Sequence, residues 1–204
     1  AGAMTLDTAV VSLDASTSAA GAITVTEADG ITLTDVDTND GAISVTAVGA
    51  ITATDIIVGD AGGTGTDNLT LTSTGSSIAV GTVSAIDLAT LNANTIITDA
   101  DATNADADIT APNVELIPGG GIGQDGNGDV DVDADVLAIS AGGAVDVRGV
   151  GGTLLSIGSA GTTTGVTSVG GLEITNESPL TIDEAVTDTG GGDIVLAAEG
   201  TTTD

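Results

Sequence analysis

The sequence predicts an all-β fold, a single-stranded, right-handed parallel β-helix (β-solenoid) of about ten coils of roughly 20 residues each. Residues 21–60 form two lines of twenty, GAITVTEADGITLTDVDTND and GAISVTAVGAITATDIIVGD, which agree at ten positions. Ile23 matches Ile43, and Ile31 matches Ile51. Each line contains two runs of alternating apolar and polar residues that begin eight residues apart, which indicates two short strands per coil. Right-handedness is expected from the general preference of parallel crossovers.

The composition favours a narrow core. Apolar residues make up 41% of the 204 residues, yet Phe, Tyr, Trp and Cys are absent. A sandwich or an ordinary globular core of this size uses aromatic side chains to fill its wide spaces. Stacked Ile, Val, Leu and Ala can fill the thin interior of a β-helix instead, so the composition agrees with the repeat. Without cysteine the chain forms no disulfide.

The charge is strongly one-sided, with 30 acidic residues, one basic residue (Arg148) and no histidine, which gives a net charge of −29. Because no cations are available to neutralise phosphates, nucleic acid and anionic membrane surfaces are excluded as partners. No apolar run is long enough for membrane insertion. Self-repulsion of this size is tolerated where counterions are plentiful, which predicts an extracellular or cell-surface location. Arg148 is expected to pair with an acidic neighbour such as Asp131 or Asp146.

The chain is predicted to form one β-solenoid run over residues 1–204, as a segment or subunit of a longer filament. Regular coils are expected over residues 1–81, each with two strands and a variable third side. Residues 82–129 are expected to be irregular or bulged, because they contain the runs DADATNADAD and GGGIGQDGNGD. Coils return over residues 130–204, where Leu172 and Leu180 are again eight residues apart.

Three segments resemble two known repeat families. The units GAITVTEADGITLT and GGDIVLAAEG resemble the repeats of large secreted bacterial adhesins of the filamentous-haemagglutinin type, most clearly over residues 2–60 and 171–198. That resemblance implies a right-handed parallel β-helix exported to the bacterial surface, of which this chain is shaft only. The nonapeptide GGTGTDNLT at residues 62–70 resembles an RTX repeat, which implies calcium binding.

Two stretches are candidate calcium sites, because glycine-rich turns expose carbonyl groups and carboxylates add further hard oxygen ligands. The first candidate ligand is Asp67, within the RTX-like nonapeptide. The second candidate stretch consists of alternating acidic and amide residues, namely Asp125, Asn127, Asp129, Asp131 and Asp133. On one strand the last three carboxylates share a face and repel each other unless a cation bridges them. The alternative for both stretches is a solvated acidic surface without metal.

Threonine pairs flank inward apolar positions and are expected to form outward rows from coil to coil. The pairs are Thr24/Thr26, Thr32/Thr34, Thr52/Thr54 and Thr70/Thr72. Flat rows of this kind on a β-solenoid resemble ice-binding surfaces, although threonine is also a common residue of exposed strands. Dense hydroxyls also suit O-linked glycans. Asn68 and Asn176 begin N-glycosylation triplets, so glycans are candidate attached groups.

No enzyme is predicted, because without His, Cys or Lys the chain lacks a conventional nucleophile–base pair. A polysaccharide-active β-helix enzyme with two catalytic carboxylates is the least favoured alternative, since nothing selects two of the thirty acids. The sequence instead predicts the structural shaft of an extracellular bacterial filament or giant surface adhesin. Its expected partners are copies of itself, glycans and divalent cations, with Ca²⁺ as the one candidate cofactor. A Ca²⁺-dependent ligand- or ice-binding adhesin module is the main alternative.

Overall fold

Two parallel β-sheets wind around one narrow core in the computed structural model, which describes residues 2–59, 66–100, 106–123 and 128–199. The chain passes alternately from one sheet to the other and completes about eight turns. The described residues contain strands, turns and irregular segments but no helix. The architecture therefore confirms the predicted all-β parallel β-solenoid.

The described part of the chain forms twenty-three strands. Their bounds are Met4–Thr8 (β1), Ser12–Ala20 (β2), Ile23–Glu27 (β3), Ile31–Asp40 (β4), Ile43–Ala47 (β5), Ile51–Val58 (β6), Leu69–Ser73 (β7), Ile78–Ala85 (β8), Leu88–Ala93 (β9), Ile97–Asp99 (β10), Ile109–Thr110 (β11), Asn113–Pro118 (β12), Val130–Asp133 (β13), Val136–Ser140 (β14), Val145–Gly149 (β15), Leu155–Ile157 (β16), Ser159–Ala160 (β17), Thr163–Thr164 (β18), Val166–Ser168 (β19), Leu172–Asn176 (β20), Leu180–Ile182 (β21), Val186–Asp188 (β22) and Ile194–Ala198 (β23).

The strands divide into two long sheets and one small hairpin. Sheet A follows the order β1-β3-β5-β7-β9-β12-β14-β16-β21, and β19 pairs with β14 and β22. Sheet B follows the order β2-β4-β6-β8-β11-β13-β15-β20-β23, and β10 pairs with β8. Strands β17 and β18 form an antiparallel pair outside these sheets. Since the chain passes between sheets A and B in each turn, each coil contributes one layer to both walls of the core.

Inward side chains stack into continuous aliphatic columns along the solenoid. One column of sheet A consists of Ile23, Ile43, Leu69, Ala89, Val114, Leu137 and Ile157. One column of sheet B consists of Ile31, Ile51, Ile78, Ile97, Ile122, Val145 and Leu172. All of these side chains are buried. Each large aliphatic side chain contributes about 1.5–3 kcal/mol of burial energy, which explains how a core without aromatic residues is stable.

The number of turns is about eight, so the predicted ten coils are too many. The reason is that coil length varies along the chain. Ile23 pairs with Ile43, twenty positions later, but Ile43 pairs with Leu69, twenty-six positions later, and Leu155 pairs with Leu180, twenty-five positions later. An insertion such as residues 158–165, which separate β16 and β19 where both pair with β14, lengthens a coil without adding a turn.

The eight-residue spacing between strand starts connects the two sheets in opposite directions at the two ends of the chain. Ile23 begins β3 in sheet A and Ile31 begins β4 in sheet B, whereas Leu172 begins β20 in sheet B and Leu180 begins β21 in sheet A. The same spacing therefore crosses opposite corners of the coil. The spacing between two strands in the sequence therefore does not tell whether the chain passes from sheet A to sheet B or from sheet B to sheet A.

A third side arises where the long strands of sheet B bend. In β4 the neighbours Thr34 and Asp35 are both exposed, which breaks the alternation between the buried residues Leu33 and Val36. The pairing of β2 with β4 shifts register at the same place. Such a shift bends a strand and re-aims the residues that follow it. Residues 82–129, which were expected to be irregular, contribute strands β9 to β12 to the two sheets. The predicted subdivision of the run at residues 81 and 130 stays a prediction.

Candidate functional site

Asp131 has an unusual environment for a surface acid. It lies in β13, opposite Arg148 of β15, and it is only 2% exposed. Arg148 Nη1 is 4.0 Å from Asp131 Oδ1, and that oxygen accepts no hydrogen bond. Burial raises the pKa of Asp131 to about 6, with the negative charge of Asp129 adding to the rise and Arg148 opposing it.

The neighbouring acids make contacts of their own. The hydroxyl of Thr153 donates to Asp133 Oδ1 at 3.0 Å, and the backbone amide of Asp131 donates to Asp108 Oδ2 at 2.8 Å. Within the described ranges, no three acidic side chains are arranged to hold a metal ion. Asp125 and Asn127 lie outside those ranges, so a calcium site at residues 125–133 stays a prediction.

Asp67 forms hydrogen bonds that connect neighbouring coils at a corner. Its side chain is buried, its Oδ1 accepts a hydrogen bond from the amide of Gly41 at 2.7 Å, and its own amide donates to Asp87 Oδ2 at 2.9 Å. Gly59 packs against this carboxylate with a φ of +80°, and a Cβ there would overlap the Asp67 side chain. Residues 62–65 of the RTX-like nonapeptide lie outside the described residues, and calcium binding by Asp67 stays a prediction.

Arg148 joins acids from two other coils. One guanidinium nitrogen approaches Asp131, and the other, Nη2, donates to Glu177 Oε1. The predicted pairing of Arg148 with Asp131 is therefore confirmed. Glu177 is 41% exposed, so the Arg148–Glu177 pair lies at the surface, where an ion pair contributes little to stability. Asp131 is the buried member of this group.

The two predicted glycosylation residues differ in accessibility. Asn176 is only 1% exposed, and its Nδ2 donates to the carbonyl oxygens of Thr153, Ser178 and Pro179 at 3.2, 3.0 and 2.9 Å. A glycan on this buried nitrogen would disrupt its hydrogen bonds to three carbonyl oxygens, so attachment at Asn176 requires an unfolded coil. Asn68 is half-buried beside Asp67. Both sites stay predictions.

Glu27 is a buried carboxylate whose role was not predicted from the sequence. It accepts hydrogen bonds from the Thr8 hydroxyl at 2.5 Å and from the amides of Val10, Ala28 and Asp29. Burial acts to raise the pKa of Glu27, but these hydrogen bonds outweigh it and lower the pKa. The signal was present in ITVTE, because Glu27 continues the inward phase of the strand. An acid at an inward position indicates a carboxylate that accepts hydrogen bonds from the backbone amides of a corner.

Asp188 accepts hydrogen bonds from corner amides in the same way, near the other end of the solenoid. Its carboxylate accepts hydrogen bonds from the amides of Gly170, Gly171 and Gly192 and from the hydroxyl of Ser168. The bond from the Gly171 amide is the largest cause of a lowered pKa for Asp188. These bonds connect corners of neighbouring coils.

A small hairpin covers part of the outer face of sheet A. The hairpin, residues 159–164, contains β17 and β18, and it lies over Glu115 of β12. Glu115 occupies an outward position but is only 2% exposed. We name residues 159–164 the anchored hairpin, since Glu115 holds it to the sheet.

Glu115 accepts four hydrogen bonds. Its Oε1 accepts from the amide of Thr162 at 2.7 Å and from the hydroxyls of Thr162 and Thr163 at 2.9 and 2.8 Å, and its Oε2 accepts from the Thr90 hydroxyl at 2.9 Å. Burial acts to raise the pKa of Glu115, but the hydrogen bonds lower it overall. Gly161 has a φ of +57° and touches the carboxylate, so no side chain fits there.

The predicted threonine rows divide between the two sheets. Thr24/Thr26 and Thr70/Thr72 lie on β3 and β7 of sheet A, whereas Thr32/Thr34 and Thr52/Thr54 lie on β4 and β6 of sheet B. In sheet A the intervening strand β5 continues both rows with Ser44 and Thr46. In sheet B the row ends at Ala79, which pairs with Thr52. Ser12 pairs with Thr32 and Thr32 with Thr52, so sheet B carries one such row over three strands. Sheet A carries two rows side by side.

These features define a parallel β-solenoid with an acidic exterior. The described residues include no helix that is long and apolar enough to cross a membrane. No protein-family model, curated protein or solved structure matches the chain. The resemblances to filamentous-haemagglutinin repeats and to the RTX nonapeptide therefore stay predictions.

Proposed function

We propose that this chain is a structural shaft, a right-handed β-solenoid segment of an extracellular bacterial filament or giant surface adhesin, without enzymatic activity. The observation that carries the proposal is continuity along the axis. The main path of each sheet contains nine strands in sequence, and the aliphatic columns cross the coils without interruption by polar residues.

The arrangement suits mechanical extension. Each coil is joined to the next by parallel backbone hydrogen bonds that lie along the axis, so an axial force acts on a whole set of bonds at once. At about 4.8 Å per coil, eight turns span about 40 Å. A rod of this kind lengthens by adding coils and does not need a wider core.

The two ends of the described solenoid expose sheet edges. Strands β1 and β2 lie at one end, and β21 and β23 lie at the other end. Ile182, Ile194 and Val195 at the latter end are 53%, 46% and 42% exposed. Unpaired edges and apolar side chains are templates for further strands. We propose that additional coils cover both edges, either from the same polypeptide or from other copies.

The acidic exterior fits the proposed extracellular role. With a net charge of −29, neighbouring rods repel each other along their sides. Divalent cations or glycans attached to the surface are the proposed partners that modulate lateral contacts. The charge leaves edge pairing at the ends as the favoured contact between copies.

Electron microscopy and small-angle X-ray scattering test the proposal. We expect rod-shaped particles whose length grows with protein concentration in steps of about 40 Å, with constant width. Compact particles without a long axis would refute the shaft. Isolated rods at every concentration would refute assembly from copies and leave extension by a longer polypeptide.

A proline at the edge makes the test specific. The amide of Met4 donates to Ala22 of the second coil, so alternate amides of β1 face β3, and the amide of Asp7 faces the open edge. Asp7→Pro removes one edge donor and keeps the β1–β3 bonds. We expect it to stop growth of the rods, whereas Asp7→Ala leaves growth unchanged.

A further inference from the structure

Sheet A carries a regular array of hydroxyl groups on its outer face. One row follows five adjacent strands and the second row runs beside it, two residues further along each strand. We name this array the hydroxyl grid, and it consists of Thr5, Thr24, Ser44, Thr70 and Thr90 in the first row and Thr26, Thr46 and Thr72 in the second. The side chains are exposed or half-buried.

The grid is regular because its strands pair without register shifts. Strands β1, β3, β5, β7 and β9 align residue by residue, whereas β2 and β4 of the other sheet shift register. Inward neighbours such as Ile43 and Val45 are fully buried and hold each strand in place. The hydroxyls therefore repeat at about 4.8 Å between coils and about 6.6 Å along each strand.

The grid is free of charge and open to solvent. None of its eight residues is acidic, although the chain has 30 acidic residues in all. The hydroxyl of Thr90 donates to Glu115, and the other seven hydroxyls take part in no side-chain hydrogen bond within the described residues. Asp7 of β1 pairs with Thr26 and ends the second row, and Glu115 with the anchored hairpin ends the first row beyond Thr90, so the uncharged area has defined limits.

We propose that the hydroxyl grid binds ice. A small ligand on this flat face reaches two or three hydroxyls, each with a small net binding energy, and no pocket encloses it. A ligand that is itself a lattice engages the seven hydroxyls other than that of Thr90 at once and gains affinity through multivalency. The lattice must be uncharged and must exchange hydrogen bonds at a two-dimensional repeat, as the water molecules of an ice surface do.

Crystalline polysaccharide is the other lattice rich in hydroxyls. It fits less well, because proteins hold sugar rings against aromatic side chains and this chain has none. The methyl groups of the threonines instead suit the spaces between water molecules of an ordered layer. The proposal does not depend on whether the solenoid serves as a shaft.

Inhibition of ice recrystallisation by the whole chain tests the proposal. We expect the chain to slow the growth of ice grains compared with buffer of equal salt content. Thr46→Tyr places a bulky ring in the centre of the grid, and we expect it to raise the protein concentration needed for inhibition by about tenfold. Tyrosine is a good strand residue, so the fold should persist, and Thr72→Tyr is the second variant.

Thr82→Tyr is the matched control, because Thr82 is exposed on β8 of sheet B, away from the grid. We expect it to inhibit ice growth as the unchanged chain does, and circular dichroism should give the same melting curve for all variants. Equal loss of inhibition in Thr46→Tyr and Thr82→Tyr would overturn the proposal. So would a chain that leaves ice growth unchanged, or one that sediments with crystalline chitin and has no effect on ice.

Discussion

The Glu115 carboxylate accepts hydrogen bonds from both the backbone amide and the hydroxyl of Thr162, which lies 47 residues further along the chain. This contact holds the anchored hairpin against sheet A across two coils. An outward acid on a strand is usually a solvated residue, but here it is a buried acceptor for another segment. The hairpin is thereby part of the fold and limits the exposed face of the sheet.

Glu115→Ala should release the anchored hairpin. The substitution leaves the amide and hydroxyl donors of Thr162 and Thr163 without their acceptor, which costs about 2 kcal/mol of unfolding free energy. Hydrogen exchange should increase at residues 159–164 and remain unchanged in β3 to β7. Glu173→Ala is the control, because Glu173 is exposed on a strand of sheet B. Equal exchange at the hairpin in both variants would show that Glu115 is not its anchor.

Glu27 should stabilise the fold only above acidic pH. Its pKa is lower in the folded chain than in the unfolded chain, so its stabilisation is present above the unfolded pKa and is lost as pH falls through the folded pKa. Glu27→Gln should therefore cost about 1–2 kcal/mol at neutral pH and much less in strong acid. Chemical denaturation across this pH range measures the difference. Glu184→Gln, the same substitution at an exposed position, is the control.

Asp131 should have the opposite effect. Its pKa is raised to about 6 in the folded chain, so its carboxylate disfavours folding as pH rises from the ordinary pKa of aspartate through about 6. Asp131→Asn should gain on the order of 1–2 kcal/mol relative to the unchanged chain between pH about 4 and pH about 8. Arg148 keeps its contact with Glu177 in this variant. Thermal melts at several pH values measure the difference, with Asp193→Asn as the exposed control. Melting temperatures of Asp131→Asn and the unchanged chain that vary in parallel with pH would contradict the prediction.

The aliphatic columns should dominate stability. Ile43 is fully buried between Ile23 and Leu69, and Ile43→Ala should cost about 3 kcal/mol because it leaves a cavity in a narrow core. Ile57 is 45% exposed, and Ile57→Ala should cost less than about 1 kcal/mol. Unfolding free energies from denaturant titrations compare the two. A similar cost for both would mean that column packing is not the main source of stability.

Salt should stabilise the chain. A net charge of −29 produces self-repulsion that salt screens, because the Debye length falls from about 30 Å at 0.01 M to about 10 Å at 0.1 M. The unfolding temperature should therefore rise with NaCl over this range. An additional rise with Ca²⁺ but not with Mg²⁺, reversed by a chelator, would support the predicted calcium stretch at residues 125–133. Equal effects of the two cations at equal ionic strength would contradict that site.

Much of the coil architecture was predictable because it depends on local periodicity. The alternation in ITVT and ITLT predicts two strands per coil, and the near-identity of residues 21–40 and 41–60 predicts that Ile23 stacks on Ile43. The lack of aromatic residues predicts a narrow core. The number of turns was not predictable to the same degree, since insertions such as the one between β16 and β19 change the length of a coil without adding a turn.

The sites were less predictable because they depend on contacts between distant coils. The sequence places Asp129, Asp131 and Asp133 on one face. In the structure Asp133 accepts a hydrogen bond from Thr153, and Asp131 forms an ion pair with Arg148. The threonine pairs are equally visible in the sequences of both sheets, but only in sheet A does the register join both members of each pair into two rows side by side, through Ser44 and Thr46. Register is a property of neighbouring coils and is absent from any single repeat.

The sequence by itself determined the parallel solenoid, its aliphatic core and its strongly acidic exterior, because periodicity and composition act locally and sum along the chain. The tertiary structure alone decided which corner each spacing crosses, that Glu115 lies beneath the anchored hairpin, and that one face carries an uncharged hydroxyl grid. The physical reason is that these features require residues from different coils to meet, and the distance between coils in the sequence varies from one turn to the next.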